Sequence, residues 1–205
     1  MEYNILANKK VIDETIKNLA TNNVEAIFVK NGAMALEKIK ELIPAGASVM
    51  NGGSITLETI GFVEYLKGDQ HSWNNLHETI LNEKDPQKQA ALRKQATLSD
   101  YYLGSVHALT KTGEFLIASN SGSQLPHVVF SSPNLIFVVG AQKIVANLDK
   151  AMKRLEEYVI PLEDHRMMER HKAHTYPSKI LIFKRESPFS RRKITMIMVN
   201  EVLGF

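Results

Sequence analysis

The chain has 205 residues, 44% of them hydrophobic and 23% charged, which is typical of a globular domain and excludes collagen-like and low-complexity proteins. Cysteine is absent, and this excludes disulfide bonds, thiol nucleophiles and cysteine-ligated zinc or iron–sulfur clusters in this chain. The formal net charge of +3 originates in residues 165–193, which hold 9 Lys and Arg against 2 Asp and Glu, so the preceding residues are not basic.

The first fifty residues alternate between helical and extended patterns. Apolar side chains at helical spacing predict an N-terminal helix within residues 1–20. VEAIFV (24–29) predicts a buried strand, ALEKIKELI (35–43) a second helix, and ASVMN (47–51) another strand. A strand, a helix and a strand in this order predict a parallel pair joined by a right-handed crossover.

The rest of the chain continues this mixture. Residues 52–98 are mainly helical and polar, and ALTKTGEFLIAS (108–119) predicts two short strands around a Lys-Thr-Gly turn. LIFVVG (135–140) is a continuous apolar strand, and a helix is predicted from about 142 to 158. The last two strands, KILIFK and KITMIMV, are expected to pair as a C-terminal β-hairpin within residues 175–205. The predicted fold class is α/β, with a Rossmann-like mixed, mostly parallel sheet flanked by helices.

The first candidate site follows the strand at 47–51, in the segment NGGSITLETIG (51–61). Ligands of open α/β sheets bind at the carboxyl ends of strands, and paired glycines let backbone N–H groups approach an anion. The binding residues predicted here are Asn51, Gly52, Gly53, Ser54 and Thr56. The alternative is a simple Gly-Gly turn with Ser54 as a helix N-cap, and Glu58 in the first turn would repel a phosphate.

A second candidate site lies in residues 99–127, where polar side chains cluster around two predicted strands. Such a cluster suits a substrate pocket, and the alternative is the polar surface of a hairpin and its loops. The binding residues predicted here are Thr110, Thr112, Gly113, Asn120, Ser121 and Gly122. If the protein is an enzyme, the carboxylates of Glu58, Asp100 and Glu114 are the candidates for a general base or nucleophile. We expect His107 to be a hydrogen-bonded, half-buried histidine.

The stretch EDHRMMERHKAHTYPSK (163–179) is rich in histidine and arginine. Its histidine spacing matches no recognised metal site and its cations would repel a metal, so we expect no metal ligand here. No cofactor is predicted for the chain. Nucleic-acid binding is another interpretation of the basic segment 165–193, but aromatic residues are scarce there. A solvated helix end that covers the pocket or meets an anionic ligand is favoured.

Several residues between 99 and 127 also match the motifs of one protein family: Asp100, Gly104, Ala108, Thr110, Thr112, Gly113, the loop 120–122 and Leu125–Pro126. LIFVVGAQKIV (135–145) and the segment at 51–61 match two further motifs. In these features the chain resembles the LUD, or lactate-utilisation, domain family over most of residues 9–165. We expect residues 1–205 to form a single LUD-like domain.

The chain departs from this family in two places. Glu114 stands where many members have a threonine, and Gln124 lies near the place of an arginine that often follows the Ser/Asn-Gly loop. If that arginine holds an anion in other members, this chain must use another group. Lys111 and Lys143 are the nearest cations by sequence.

The resemblance implies a fold like that of ribose-phosphate isomerase and CoA transferases, and a role in the utilisation of lactate or a related hydroxyacid. It implies a small anionic metabolite as ligand and, because cysteine is absent, a cluster-free chain with an iron–sulfur partner subunit or a homo-oligomer. Two alternatives stay open: an isomerase or CoA-transferase-like enzyme acting on phosphorylated or acyl-CoA substrates, and a non-enzymatic assembly or regulatory subunit. The sequence carries no signal-peptide pattern and no apolar run of about 18 residues, so a cytoplasmic protein without a membrane span is expected.

Overall fold

The computed structural model describes residues 3–205. The strands in this range are β1 (Glu25–Val29), β2 (Ser48–Asn51), β3 (Asn74–Asn75), β4 (Tyr101–Gly104), β5 (Ala108–Thr110), β6 (Phe115–Ser119), β7 (Asn134–Gly140), β8 (Ile144–Val145), β9 (Lys179–Phe183) and β10 (Lys193–Val199). The α-helices are α1 (Lys9–Thr21), α2 (Gly32–Leu42), α3 (Ile55–Thr59), α4 (Phe62–Lys67), α5 (Leu76–Asn82), α6 (Pro86–Gln95), α7 (Leu148–Arg154) and α8 (Ile160–His171). Two π-helical turns span His127–Ser131 and Leu155–Val159.

The strands form two sheets. The main sheet has six strands in the order β1-β10-β7-β4-β2-β3, and every neighbouring pair in it is parallel. The smaller sheet has the order β8-β5-β6-β9 and contains both parallel and antiparallel pairs. The carboxyl ends of the main strands therefore meet at one edge, where ligands of parallel sheets bind.

Apolar side chains on both faces place β7 and β10 in the centre of the main sheet. Alternate residues of β7 enter two different cores, since Leu135 and Phe137 pack on one face while Ile136 and Val138 pack on the other. Helices α2, α3 and α4 cover the second face, whereas α1 and the smaller sheet cover the first. Strands buried on both faces are typical of the centre of a parallel sheet.

Asparagine begins four of the helices. The side chains of Asn8, Asn31, Asn75 and Asn147 each accept a hydrogen bond from the backbone N–H three residues further along. These caps satisfy donors that the first helical turn leaves unpaired. The predicted helix within 1–20 begins at Lys9, and the first two residues of that prediction lie outside the described residues.

The α/β class, the mostly parallel sheet and the flanking helices are confirmed, but the predicted strand pairing is wrong at the start of the chain. Strands β1 and β2 run in the same direction but are not neighbours, because β10, β7 and β4 lie between them. Strand β4 was not among the predicted strands. The βαβ pattern predicts direction, whereas the order across the sheet depends on which strands have two apolar faces.

The two C-terminal strands form at the predicted residues but do not pair with each other. Strand β9 pairs with β6 in the smaller sheet, and β10 lies between β1 and β7 in the main sheet. The pattern explains the difference, since β10 is buried from Ile194 to Val199 while β9 exposes Lys179, Ile180 and Ile182. The last two strands of the chain therefore belong to different sheets.

The predicted helix at 142–158 begins too early. Residues Ala141–Lys143 form a 3₁₀ turn, β8 follows, and the helix starts only after the Asn147 cap. From there it runs through the π-helical turn into α8, which ends at His171. Lys143 is consequently fixed on a tight turn directly after β7. Within residues 3–205 no helix has the length and apolar character needed to cross a membrane.

Candidate functional site

A cleft of about 450 Å³ lies at the carboxyl ends of β2 and β4. Its floor consists of the segments that follow these strands, Gly52–Thr56 and Gly104–His107, together with Lys143. Its polar side is completed by Ser119–Ser121 at the end of β6. The size is that of a small-molecule site, and the place is the one expected for a parallel sheet.

The opposite wall of the cleft is mainly apolar. Its residues come from the π-helical turn at Leu155–Val159, from α8 and the loop after it, and from the last residue of the chain. They are Leu155, Val159, Ile160, Met167, Tyr176, Pro177 and Phe205. Part of the basic segment 165–193 thus covers the cleft. A ligand in the cleft would meet both hydrogen-bonding groups and hydrocarbon.

Lys143 is a buried cation on the floor of this cleft, with 3% of the residue exposed. Its Nζ donates to Thr56 Oγ1 at 3.0 Å and to Ser105 Oγ at 3.1 Å. Both hydroxyls give their own protons to backbone carbonyls, Thr56 to Leu203 at 3.2 Å and Ser105 to Val138 at 2.7 Å. Each hydroxyl is therefore an acceptor for Nζ, and the third position on Nζ has no partner within residues 3–205.

The charge on Lys143 is poorly stabilised. No carboxylate of the described residues lies within 4.0 Å of its Nζ. Burial, with a smaller effect of the Arg154 guanidinium, lowers the pKa of Lys143 to about 7. The neutral amine and the ammonium are therefore both populated near pH 7.

Arg154 is a second buried cation behind the cleft and has no exposed surface. Its Nη1 donates to the carbonyl of His107, and the guanidinium carbon lies 5.3 Å from the centre of the Tyr158 ring. Its Nε and Nη2 have no hydrogen-bond partner among the residues that the structure describes. Burial lowers the pKa of Arg154 to about 10, so the side chain stays charged at neutral pH.

His107 lines the cleft as a neutral ring. Its Nδ1 accepts a hydrogen bond from the backbone N–H of Ala118 at 3.1 Å, so the ring proton lies on Nε2. Burial, with the charges of Lys143 and Arg154, lowers the pKa of His107 to about 3. The half-buried, hydrogen-bonded histidine expected from the sequence is what the structure contains, and its Nε2–H is a donor on the cleft wall.

Glu163 and Arg166 form an ion pair on the α8 side of the cleft. Arg166 donates from Nε to Glu163 Oε2 at 2.7 Å and from Nη2 to Oε1. In this bidentate contact the Glu163 carboxylate balances the positive charge of the Arg166 guanidinium. Lys143 is therefore the cation of the described cleft lining that lacks a carboxylate partner.

The turn after β2 brings backbone close to the cleft floor. Gly52 donates its N–H to the carbonyl of Leu103 at 3.2 Å, and a Cβ at this position would collide with the Tyr102 hydroxyl. Ser54 caps α3 by accepting from Leu57 at 3.3 Å, as the simpler interpretation of this segment predicts. The backbone N–H groups of Gly53 and Ser54 donate to no other described residue.

More than half of the predicted binding residues line the cleft: Gly52, Gly53, Ser54, Thr56, Asn120 and Ser121. Asn51 lies below the floor, where its Nδ2 donates to the carbonyl of Gly52 at 3.2 Å. Gly122 follows the loop on the polar side and packs against the side chain of Lys179. The first candidate segment and the Asn-Ser-Gly loop, 70 residues apart in the chain, thus meet at one site.

The turn between β5 and β6, which holds Thr110, Thr112 and Gly113, lies away from the cleft lining and against the end of α1. Glu114 Oε2 accepts hydrogen bonds there from the hydroxyls of Thr110 and Thr112. Burial raises the pKa of Glu114, but these hydrogen bonds outweigh it and hold the pKa below its usual value. The carboxylate stabilises the turn in its ionised form.

The other two predicted carboxylates also lie outside the cleft lining. Asp100 precedes β4 at the amino edge of the sheet, where it accepts from the N–H and hydroxyl of Ser48 at 2.8 and 2.7 Å, and these bonds lower its pKa. Glu58 lies on α3 with Arg170 Nη1 at 3.4 Å from its Oε2. The catalytic role of Glu58, Asp100 and Glu114 stays a prediction to which this geometry adds no support.

The site prediction omitted several polar residues of the cleft lining, among them Ser105, His107, Glu163 and Arg166. Ser105 directly follows β4, so recognition of that strand would have pointed to it. Lys143 was named only as a nearby cation, although its place three residues after the glycine that ends β7 is a usable signal. Glu163 and Arg166 reach the cleft only through the path of α8, which no local pattern encodes.

Two histidines of the histidine-rich stretch contact carboxylates at the surface. His174 Nδ1 lies 2.9 Å from Asp164 Oδ2, and His165 Nε2 lies 3.2 Å from Glu169 Oε1. Across residues 3–205 there is no cluster of three or more His, Asp or Glu side chains that could hold a metal ion.

Comparison with known proteins places the chain in a family. A crystal structure of a DUF162 family protein from Deinococcus radiodurans, at 1.70 Å resolution, superposes with a TM-score of 0.58 and 10% sequence identity, covering 96% of this chain and 100% of that one. No curated protein matches the chain. Residues 12–204 match the LUD domain family. Because the match spans nearly the whole sequence, the chain belongs to the LUD domain family, which is associated with lactate utilisation.

Proposed function

We propose that the cleft binds a small anionic metabolite of the hydroxyacid class and that Lys143 supplies the charge that holds it. The observation that carries this proposal is a buried lysine on a cleft floor, hydrogen-bonded to two hydroxyls and unpaired with any carboxylate of residues 3–205. A buried cation without a counter-ion is costly, and a bound anion would remove that cost.

Other groups on the same wall suit a carboxylate. The Nε2–H of His107 and the backbone N–H groups of Gly53 and Ser54 are donors without protein partners in the described chain. Hydrogen bonds from such donors favour the ionised form of an acid. Binding of the anion would raise the pKa of Lys143, so uptake of a proton is expected to accompany binding near pH 8.

The volume of the cleft bears on the size of the hydroxyacid. A three-carbon hydroxyacid has six non-hydrogen atoms and, at no more than about 30 Å³ for each, fills less than half of the cleft of about 450 Å³. The apolar wall with Leu155, Val159 and Met167 would remain uncovered. We therefore expect affinity to rise with an apolar substituent on the acid.

Calorimetric titration with a series of 2-hydroxyacids of increasing length tests this function. We expect saturable binding that strengthens along the series, and a loss of about 30-fold or more in the Lys143→Met variant, because the truncated pair leaves the anion unpaired. Lys111→Met is the matched control, since Lys111 is a half-exposed lysine that pairs with Glu14 on another surface. Unchanged affinity in Lys143→Met, or no binding by any acid in the series, would contradict the proposal.

Sugar phosphates and acyl-CoA compounds belong in the same titration because they represent the isomerase and transferase alternative. Binding of these compounds in preference to every hydroxyacid would favour that alternative. Glu114 does not support it, since this carboxylate lies on the turn beside α1 rather than in the cleft. Association with an iron–sulfur partner subunit or a second copy is the part of the proposal that rests on the family resemblance alone, and a cytoplasmic location stays an expectation from the sequence. Co-purification from the native host tests the partner.

A further inference from the structure

We propose that Lys143 acts as a nucleophile, forming an imine between its Nζ and the carbonyl carbon of a 2-oxoacid held in the cleft. This inference rests on the proposed function, because it needs the same cleft to accept a small carboxylate. It goes beyond that function by assigning a covalent step to a residue whose proposed role is otherwise charge alone.

The hydrogen bonds of Lys143 orient its reactive position. A neutral amine has two N–H bonds and one lone pair, and the two N–H bonds are directed to Thr56 Oγ1 and Ser105 Oγ. Neither hydroxyl can donate back, since the carbonyls of Leu203 and Val138 take their protons. The remaining position on Nζ is the lone pair, and the side chain lines the cleft. The protein thus fixes both N–H bonds, and no hydrogen-bond donor of residues 3–205 occupies the lone pair.

The surroundings keep a large part of this amine unprotonated. Lys143 is buried, no described carboxylate pairs with it, and the positively charged Arg154 lies behind it. The titratable groups that line the cleft around it are His107, which is neutral, and the Glu163–Arg166 pair, which carries no net charge. These are the conditions under which a lysine becomes a nucleophile near neutral pH.

The step balances without an oxidant or reductant. The Nζ lone pair attacks the carbonyl carbon, the C=O π electrons move to oxygen, and a proton passes from nitrogen to that oxygen to give a carbinolamine. The C–O bond then breaks, the nitrogen lone pair forms the C=N bond, and the hydroxide takes one proton from solvent and leaves as water. The product is a protonated imine. Its positive charge remains close to the carboxylate of the 2-oxoacid.

A 2-oxoacid fits better than a simple aldehyde or ketone. The carboxylate of the ligand is one bond away from the electrophilic carbonyl carbon, so once the imine has formed this carboxylate lies beside the positive charge on Nζ. The His107 Nε2–H and the Gly53 and Ser54 N–H groups offer donors for that carboxylate, so the lysine is free to react with the carbonyl. A 2-oxoacid is also the oxidised counterpart of a 2-hydroxyacid, so both belong to one substrate class.

Reductive trapping tests this step directly. The full chain is incubated at pH 7 with pyruvate or phenylpyruvate and sodium cyanoborohydride, and intact-protein mass spectrometry measures the product. We expect one adduct per chain, heavier by the mass of the oxoacid less one oxygen atom, and peptide mapping should place it on Lys143. Modification of Lys143 should exceed that of Lys111 by about tenfold or more. The Lys143→Arg variant should lose the adduct while keeping a cation in the cleft.

The outcomes separate this inference from the proposed function. An adduct confined to Lys143 supports the imine. Binding of the 2-oxoacid in calorimetry without an adduct on Lys143 overturns the imine and leaves anion binding in place. An adduct spread over exposed lysines, with none on Lys143, overturns it as well. Absence of both binding and adduct overturns the two proposals together.

Discussion

Folding lowers the pKa of several buried groups in this protein, and two of them, Lys143 and His127, give testable effects of pH on stability. Lys143 on the cleft floor has a lowered pKa, and so has His127, which lies beneath Tyr102 with the ring centres 4.4 Å apart. Each shift means that folding disfavours the charged form and makes stability depend on pH. The two residues titrate in different pH ranges, so their effects can be measured separately.

Replacement of Lys143 by methionine is expected to stabilise the folded protein at pH 6. The folded pKa of about 7 lies below the unfolded value of 10.5, so the cost of the buried charge is fully present below pH 7 and disappears as the pH rises to 10.5. We expect Lys143→Met to increase the free energy of unfolding by about 1–3 kcal/mol at pH 6, and by less at pH 10. Urea unfolding at both pH values measures this, with Lys111→Met as control. A destabilised Lys143→Met variant at pH 6 would contradict the expectation.

His127 is expected to make the protein sensitive to acid. Burial lowers the pKa of His127 to about 4, below the unfolded value of 6.5, so stability is lost as the pH falls from 6.5 to 4. Its Nδ1 is hydrogen-bonded to Ser132 Oγ at 2.9 Å. His127→Gln should reduce the loss of stability across this range, by about 1.4 kcal/mol for each unit of pKa shift removed. Thermal unfolding between pH 4 and 7 provides the measurement, and His165→Gln, at an exposed position, should leave the slope unchanged. The same slope in both variants would refute this assignment.

At the scale of elements, the loop before β10 holds a buried ion pair, and the arginine of this pair joins the loop to the π-helical turn at His127–Ser131. Arg192 contacts Glu186 at 3.0 Å, and both side chains are nearly inaccessible. The guanidinium also donates to three carbonyls, those of His127, Val128 and Ser132, at 2.8–3.0 Å. These bonds satisfy carbonyls at the ends of the π-helical turn, which begins at His127.

Arg192→Met should be strongly destabilising because it leaves the Glu186 carboxylate buried without its counter-ion. We expect a loss of about 3–5 kcal/mol in the free energy of unfolding. The double variant Arg192→Met, Glu186→Gln should recover part of this loss, since the buried charge is then removed. Chemical denaturation of the two variants measures the difference. An Arg192→Met variant with the same free energy of unfolding as the unmodified protein would show that the ion pair does not stabilise the loop.

At the scale of the whole molecule, two sheets share one core and the cleft lies where their strand ends meet. Phe115 of the smaller sheet packs against Phe137 of the main sheet with the ring centres 5.3 Å apart, and it stacks on Phe183 at 4.6 Å. A separate core lies under the other face of the smaller sheet, against α7 and the π-helical turn that follows it. The polar and apolar walls of the cleft therefore belong to different layers of the fold.

Burial differs strongly between the central strands and the outer helices. Strand β10 is buried from Ile194 to Val199, whereas α6 has no buried residue. We expect hydrogen–deuterium exchange to be slowest in β7 and β10 and fast in α6, because local opening there exposes little apolar surface. Mass spectrometry of peptic fragments measures this. Equal protection of α6 and β10 would contradict the expected order.

The sequence alone determined most of the elements and one half of the candidate site. Hydrophobic periodicity locates helices and strands because side-chain direction repeats within each element, and the Gly52–Gly53–Ser54 turn is local to the end of β2. The resemblance to the LUD family likewise depended on short motifs. These signals are carried by neighbouring residues, so no knowledge of the tertiary structure is needed.

Only the tertiary structure decided the strand order and the chemistry of the cleft. The C-terminal strands join different sheets because β10 has two apolar faces and β9 has one. This difference determines their positions only when the other strands of both sheets are in place to pair with them. The lowered pKa of Lys143 has the same origin, since burial by packed parts of the chain causes it, with a smaller effect of the Arg154 guanidinium. Burial and the effect of a neighbouring charge depend on which groups lie close together in space. For Lys143 the tertiary packing decides which groups these are.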